Sequence, residues 1–195
     1  MFDRDIRTTL RKKYLQQYYK DPSAKVVEEL SLFANRARID IAVINGNLVG
    51  YEIKSDRDTI IRLPDQMAVY GQIFDKISVI SGPKHIGKLL EFLPNYCGLL
   101  VAEPNNEIEL TTIIKPTQST EQSGFMLASL LWHEEACSLL KSIGLGKGVR
   151  KKRISLLWQE LADNFTVENL AANIREIIKA RQDWKVPQLQ VSHGD

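Results

Sequence analysis

A chain of 195 residues with 44% hydrophobic and 26% charged residues has the composition of an ordinary soluble globular protein. At this length it should bury roughly 70% of its unfolded surface, so neither a disulfide framework nor a metal staple is required. The two cysteines, Cys97 and Cys137, the polar start Met1-Phe2-Asp3-Arg4-Asp5, and the lack of any run near the roughly eighteen apolar residues of a membrane span lead us to expect a cytoplasmic protein with no membrane partner. A net charge of +2 neither announces nor excludes a nucleic-acid ligand, because local clustering matters more than the total.

In chain order, residues 3–20 predict a basic, aromatic helix carrying Leu10, Tyr14 and Tyr18 beside Arg11-Lys12-Lys13. Asp21-Pro22-Ser23 breaks it, and Ser23 is placed to cap a short helix from Ala24 to about Ser31. Residues 39–44, Ile-Asp-Ile-Ala-Val-Ile, predict a strand that turns at Asn45-Gly46-Asn47 and returns over residues 48–54. A helix is expected from Pro64 to about Phe74, a strand over 76–81, a helix near 84–92, and strands near 98–102 and 108–113. This order predicts an α/β core over residues 1–115, with Pro116 to Gly124 as a linker. A C-terminal helical subdomain is expected over 125–195, with helices at about 125–142, 153–164 and 167–182.

The chemistry gathers on the predicted hairpin. Asp40 interrupts one apolar strand, while Glu52 and Lys54 flank Ile53 in the other. Ionised groups in buried strands cost several kcal/mol each unless paired or metal-bound. A three-residue loop pairs Ile44 with Leu48, Ala42 with Gly50 and Asp40 with Glu52, and puts Asn47 in the left-handed region. One face then carries Asp40, Ala42, Gly50, Glu52 and Lys54, with small residues leaving room for a ligand. The other carries Ile39, Ile41, Val43, Val49, Tyr51 and Ile53 as an unbroken apolar surface. A two-residue turn would instead bury Asp40 within that apolar surface, the costlier choice. Two opposed carboxylates are hard oxygen ligands suited to Mg²⁺ or Mn²⁺. The adjacent Lys54 can orient or help deprotonate a water, or stabilise charge on an attacked phosphate.

Asp40 followed by Glu52-Ile53-Lys54 across a hairpin resembles the PD-(D/E)XK nuclease superfamily, the restriction-endonuclease-like fold. The resemblance covers about residues 24–81, and the stretch from Arg38 to Ile80 is also similar to a small bacterial family of unassigned function. It implies a mixed β-sheet flanked by helices, and a further metal contact from the Ile53 carbonyl. It also implies an acidic residue on the helix before the hairpin, matched by Glu29 with Glu28 as the alternative. Gln66 and Tyr70 match a Gln-x-x-x-Tyr motif on the following helix, with Arg62 a turn earlier. Ile39 stands where many members have proline, and the first strand of the usual meander is not evident between Ser31 and Arg38.

The reading is therefore a Mg²⁺-dependent nuclease, with DNA (or RNA) as substrate and homodimerisation open. Its alternatives are a non-catalytic nucleic-acid-binding module on a nuclease fold, or a protein-interaction adaptor. As a bland counterpart, Asp40, Glu52 and Lys54 form a structural ion-pair cluster. Arg150-Lys151-Lys152-Arg153 and Arg11-Lys12-Lys13 are equally a phosphate-backbone grip or solvated helix charges. His133 and Cys137, four residues apart, lack the further ligands of a zinc site and read as a packed helix face. The glycines from Gly144 to Gly148 lack P-loop spacing and read as a helix connection.

Overall fold

The computed structural model describes residues 2–105 and 107–182. Residues 183–195 of the expected helical subdomain lie outside the described residues. The chain opens with α1 (Asp3–Thr9), a π-helical turn (Leu10–Tyr14) and α2 (Gln16–Lys20). Three strands follow, β1 (Lys25–Leu32), β2 (Ala37–Asn45) and β3 (Asn47–Lys54), then α3 (Leu63–Tyr70) and β4 (Lys76–Ser81). Next come α4 (Ile86–Phe92), β5 (Gly98–Pro104) and β6 (Ile108–Ile114), then α5 (Gly124–Ala128), α6 (His133–Ser142), α7 (Ile154–Asn164) and α8 (Val167–Lys179).

The strands form one six-stranded sheet in sequence order. β1, β2 and β3 make an antiparallel meander, β4 runs parallel to β3, β5 parallel to β4, and β6 returns antiparallel. A parallel strand needs a crossover, and α3 supplies it between β3 and β4. β4 reads Lys-Ile-Ser-Val-Ile-Ser and is buried at all but its first position, as a strand covered on both faces must be. On one face Ile6, Leu10 and Leu15 of the N-terminal helical segment pack on Ile41, Val43, Ile53, Ile80 and Leu100. Each such fully buried side chain contributes about 1.5–3 kcal/mol. On the other face Ala42, Ile44, Leu48, Ile77 and Val79 meet Leu63, Met67, Tyr70 and Phe74. The C-terminal helices share this second cluster through Met126, Trp158, Leu170 and Ile174, rather than enclosing a core of their own.

Four expectations are corrected. Residues 24–31 are not a helix: Lys25–Leu32 is edge strand β1, paired along β2 from Lys25–Ile44 to Leu32–Ala37. The glutamates favour helix locally, but the Val26-Val27 pair and the waiting edge of β2 override that preference. The helix expected over 125–142 is two, because the chain turns between Ser129 and Trp132. At the hairpin tip Gly46, not Asn47, takes the left-handed conformation (φ +65°), and Asn45 pairs with Asn47 across it. Glycine carries no Cβ penalty there, so it takes the position in preference to asparagine.

The fourth concerns the hairpin faces. The pairs Ile44–Leu48, Ala42–Gly50 and Ile41–Tyr51 follow the three-residue-loop register, but the pairing ends there: the expected Asp40–Glu52 pair does not form, and the Asp40 side chain instead accepts the Ile53 amide. Yet Ile39 does not join Ile41: it packs in the opposite cluster, with Ala42 and Ile44. β1 does the same, for Val27 and Leu30 share that cluster despite odd spacing. Both strands slip their alternation where Glu29, between the pairs Glu28–Ile41 and Leu30–Ile39, falls across from Asp40. Glu29 has φ +53°, outside the β region, and this turns the strand. Consequently no ligand space exists beside Gly50: a Cβ there would meet Ile39 Cδ1 at 2.5 Å and Phe74 at 3.2 Å.

Candidate active site at the hairpin

The irregular pair Glu29–Asp40 and the end of β3 together make a charged cluster. Glu52 comes from a central strand and is 2% exposed. Both its oxygens have partners: Lys54 Nζ donates to Oε1 at 2.5 Å, and Tyr70 Oη donates to Oε2 at 2.8 Å. Gln66 Nε2, one turn before Tyr70 on α3, donates to that hydroxyl at 3.1 Å, and the hydroxyl also lies 2.7 Å from the Arg38 carbonyl. Asp40 Oδ2 accepts the Ile53 amide at 2.7 Å, and Oδ1 accepts Arg7 Nη2 at 2.7 Å. Thus Glu52, Lys54, Gln66 and Tyr70, drawn from β3 and α3, share one hydrogen-bonded network, and Asp40 of β2 lies near enough for its charge to act on Glu52.

Glu29 reaches this neighbourhood through a cation. Arg7 Nη2 touches Asp40 Oδ1 and also Glu29 Oε1, at 2.7 and 2.9 Å, and Arg38 Nε holds Glu29 Oε2 at 2.8 Å. Glu28, the alternative candidate, pairs instead with Arg11, while Arg7 Nη1 lies 3.9 Å away. Arg7 also bonds Asp3 at 3.3 Å and the Asp40 carbonyl at 3.2 Å. The sequence reading missed Arg7. Its signal was available: it follows the buried Ile6 on an amphipathic helix that packs over β2, beside Asp3 four residues earlier.

Burial dominates the electrostatics of the cluster. Burial pushes the Glu52 carboxyl above its usual range and the nearby Asp40 charge pushes it further, against Lys54 and the Tyr70 hydroxyl. Burial also raises Asp40, opposed by the Ile53 amide and Arg7. The Tyr70 phenol is driven up by burial and the Glu52 charge, so it stays a donor. Among the described residues no group of three or more His, Cys, Asp or Glu side chains is arranged to hold a metal ion.

The other candidate residues lie elsewhere. Arg62 is exposed at the start of α3 and lines a cleft with Gln66. Arg150 and Lys151 occupy a short turn before α7, where Arg150 lies 3.9 Å from Glu134. Lys152 is committed to Glu160 at 2.5 Å, and Arg153 occupies the N-cap position of α7 without a capping side-chain bond. His133 contacts the Lys152 carbonyl at 3.0 Å and Cys137 Sγ at 3.7 Å, the packed helix face expected of that pair.

Fold and site together define a mixed α/β protein whose sheet, flanked by helices, carries a carboxylate–lysine cluster at the end of its central hairpin. The chain belongs to the family described as Bacteriophage P4 protein cII, which matches residues 4–189. It is 26% identical over 123 residues to protein cII of Enterobacteria phage P4, covering 63% of this chain and 47% of that relative. The chain thus spans about half the length of the curated relative it matches. No solved structure matches it. No helix among the described residues is long and apolar enough to cross a membrane.

Proposed function

We propose that this protein is a metal-dependent nuclease of the PD-(D/E)XK type, hydrolysing phosphodiester bonds in DNA within a bacteriophage-related setting. The observation that carries the reading is the Glu52–Lys54 pair at the C-terminal end of β3, with Asp40 on the neighbouring strand and Tyr70 fixing the second Glu52 oxygen. The β1–β2–β3 meander followed by α3 and a parallel β4 supports the restriction-endonuclease-like core that the motif resembles.

A divalent cation would be held by Asp40 and Glu52. Asp40, Glu52 and the Ile53 carbonyl are hard oxygen donors, and Mg²⁺ commonly needs only one or two carboxylates because it retains water and takes substrate phosphate oxygens. Burial raises both carboxyls, and a cation bound beside them would offset the desolvation of their charges. Arg7 stands on Asp40 where such a charge would act. A bound Mg²⁺ or Mn²⁺ supplies Lewis acidity towards a phosphoryl oxygen. The chain supplies the rest. Glu52, anchored by Tyr70, holds the Lys54 ammonium in place, and that charge stabilises the developing phosphorane. Gln66 keeps the Tyr70 hydroxyl turned to Glu52.

The test is cleavage of plasmid and oligonucleotide DNA across a Mg²⁺, Mn²⁺ and Ca²⁺ series. Lys54→Ala should lower the Mg²⁺-dependent rate by about 10²–10³, the usual loss for one preorganised electrostatic group, with DNA binding retained. Arg7 on Asp40 favours a second reading, a non-catalytic nucleic-acid-binding module in which a guanidinium permanently replaces the metal. DNA binding by the parent without cleavage in any metal selects that reading. Cleavage unaffected by Lys54→Ala removes the first as framed.

A further inference from the structure

Beside the carboxylate cluster lies an open cleft of about 640 Å³ between the β1–β2 turn and α3. Its volume falls within the roughly 300–1,000 Å³ of ligand-binding clefts. Arg36, Arg38 and Arg62 line it, with Asp65 as the single acidic lining side chain. In a chain whose net charge is only +2, this is a local concentration of guanidinium groups. Arg36 rests over the Phe33 ring at 4.9 Å, and Phe33 packs edge-on against Phe125 of α5 at 6.1 Å. Neither Arg36 nor Arg62 forms an ion pair among the described residues, and Arg38 is shared only with Glu29. The backbone that presents them is strained: Phe33, Ala34 and Asn35 have φ of +44°, +53° and +67° in succession. A left-handed conformation at a non-glycine residue persists only where surrounding structure enforces it.

The cleft leads to the site. Gln66 lines it and bonds the Tyr70 hydroxyl that holds Glu52. Arg38 lines it too, and its carbonyl faces the same hydroxyl. We infer that this cleft binds the phosphodiester backbone of a nucleic-acid strand and leads it to the Glu52–Lys54 cluster. Guanidinium groups match phosphate oxygens in bidentate geometry and keep their charge at any relevant pH. The delivery step rests on the nuclease reading; the binding step does not.

The probe is a set of fluorescein-labelled oligonucleotides of one sequence, as duplex DNA, single-stranded DNA and RNA. They are titrated by anisotropy over a salt series with EDTA present. The three arms identify which nucleic acid supplies the backbone. Arg36→Ala/Arg62→Ala should weaken binding. It should also flatten the dependence of log affinity on log salt by about 1.8 for duplex DNA, or about 1.4 for a single strand, the values for two lost phosphate contacts. Asp65→Asn should tighten binding, and Arg36→Lys/Arg62→Lys should keep the salt slope. These positions are exposed, and unchanged melting curves will show that the variants fold. The inference is overturned if the parent binds none of the three, or if the double alanine variant binds with the parent's affinity and slope. Cleavage by the parent with an unaltered alanine variant overturns the cleft and leaves the nuclease reading intact. Arginine-dependent binding without metal-dependent cleavage upholds the cleft and removes that reading.

Discussion

Replacing Arg7 by methionine keeps the alkyl stem that packs over β2 and deletes the guanidinium. The structure sets the size of the effect. The bond to Asp40 at 2.7 Å joins side chains only 14% and 20% exposed, so it retains most of the about 2–3 kcal/mol of a charged hydrogen bond. The contacts to Asp3 and Glu29 reach carboxylates 40% and 43% exposed, and solvent screening reduces each to about 0–1 kcal/mol. The sum is about 3 kcal/mol, or a fall in melting temperature of about 6–12 °C for a chain of this size. In the variant, Asp40 loses its guanidinium partner while Lys54 stays on Glu52 and Arg38 on Glu29, and divalent metal should replace what was removed. At a hundredfold excess over its dissociation constant a ligand returns about 2.7 kcal/mol. Thermal melts of parent and Arg7→Met in EDTA and in MgCl₂ read both effects. Mg²⁺ should raise the variant's transition more than the parent's, because in the parent the metal must displace a guanidinium. A variant that melts with the parent, or Mg²⁺ shifts equal in both, would refute the view that Arg7 holds the cation's place.

Gly50→Ala should destabilise by about 1–3 kcal/mol in a denaturant titration, since its Cβ would meet Ile39 Cδ1 at 2.5 Å in a packed layer; an unchanged midpoint would show that Ile39 does not seal that face. Glu29→Gly should be more stable than Glu29→Ala by about 1 kcal/mol, because both lose the ion pairs and only glycine relieves φ +53°; equal stabilities would deny the strain. The Asp40 and Glu52 carboxyls are raised above their ordinary values near 3.8 and 4.5, so the folded state binds protons more readily than the unfolded chain. Their contribution is present in full below those values and lost as pH rises through the raised ones. Asp40→Asn/Glu52→Gln should therefore gain stability relative to the parent as pH rises across that window in EDTA, and a relative loss would reverse the sign of the argument.

Much of this architecture was legible because its signals are local. Asn45-Gly46-Asn47 fixed the hairpin register, the run Lys76–Ser81 marked the buried strand, and Pro64 marked the start of α3. The four-residue spacing of Gln66 and Tyr70 placed both on one helix face, which the structure turns towards Glu52. What stayed hidden depends on partners distant in sequence. β1 is a strand only because β2 offers an edge, and Lys25-Val-Val-Glu-Glu-Leu carries no decisive period by itself. Arg7 lies 33 residues from Asp40, and no spacing rule links a helix flank to a strand end.

The slip in alternation at Glu29 and Asp40 explains how one hairpin serves two incompatible demands. Strict alternation would put Asp40 on the same face as Ala42 and Ile44, and that face is filled by Tyr70, Phe74 and the C-terminal helices. A carboxylate pointing there would need a buried partner beyond Tyr70, which already serves Glu52. The slip hands that place to Ile39, whose side chain closes the space over Gly50. It leaves Asp40 at the strand boundary, where it reaches the Ile53 amide and the guanidinium arriving from α1. The left-handed Glu29 opposite is the conformational cost of that arrangement, and its carboxylate is bound by the same Arg7 nitrogen. Strain, register and charge thus converge on one pair of residues, which is why Asp40 stands beside Glu52 without lying in the apolar core beneath it.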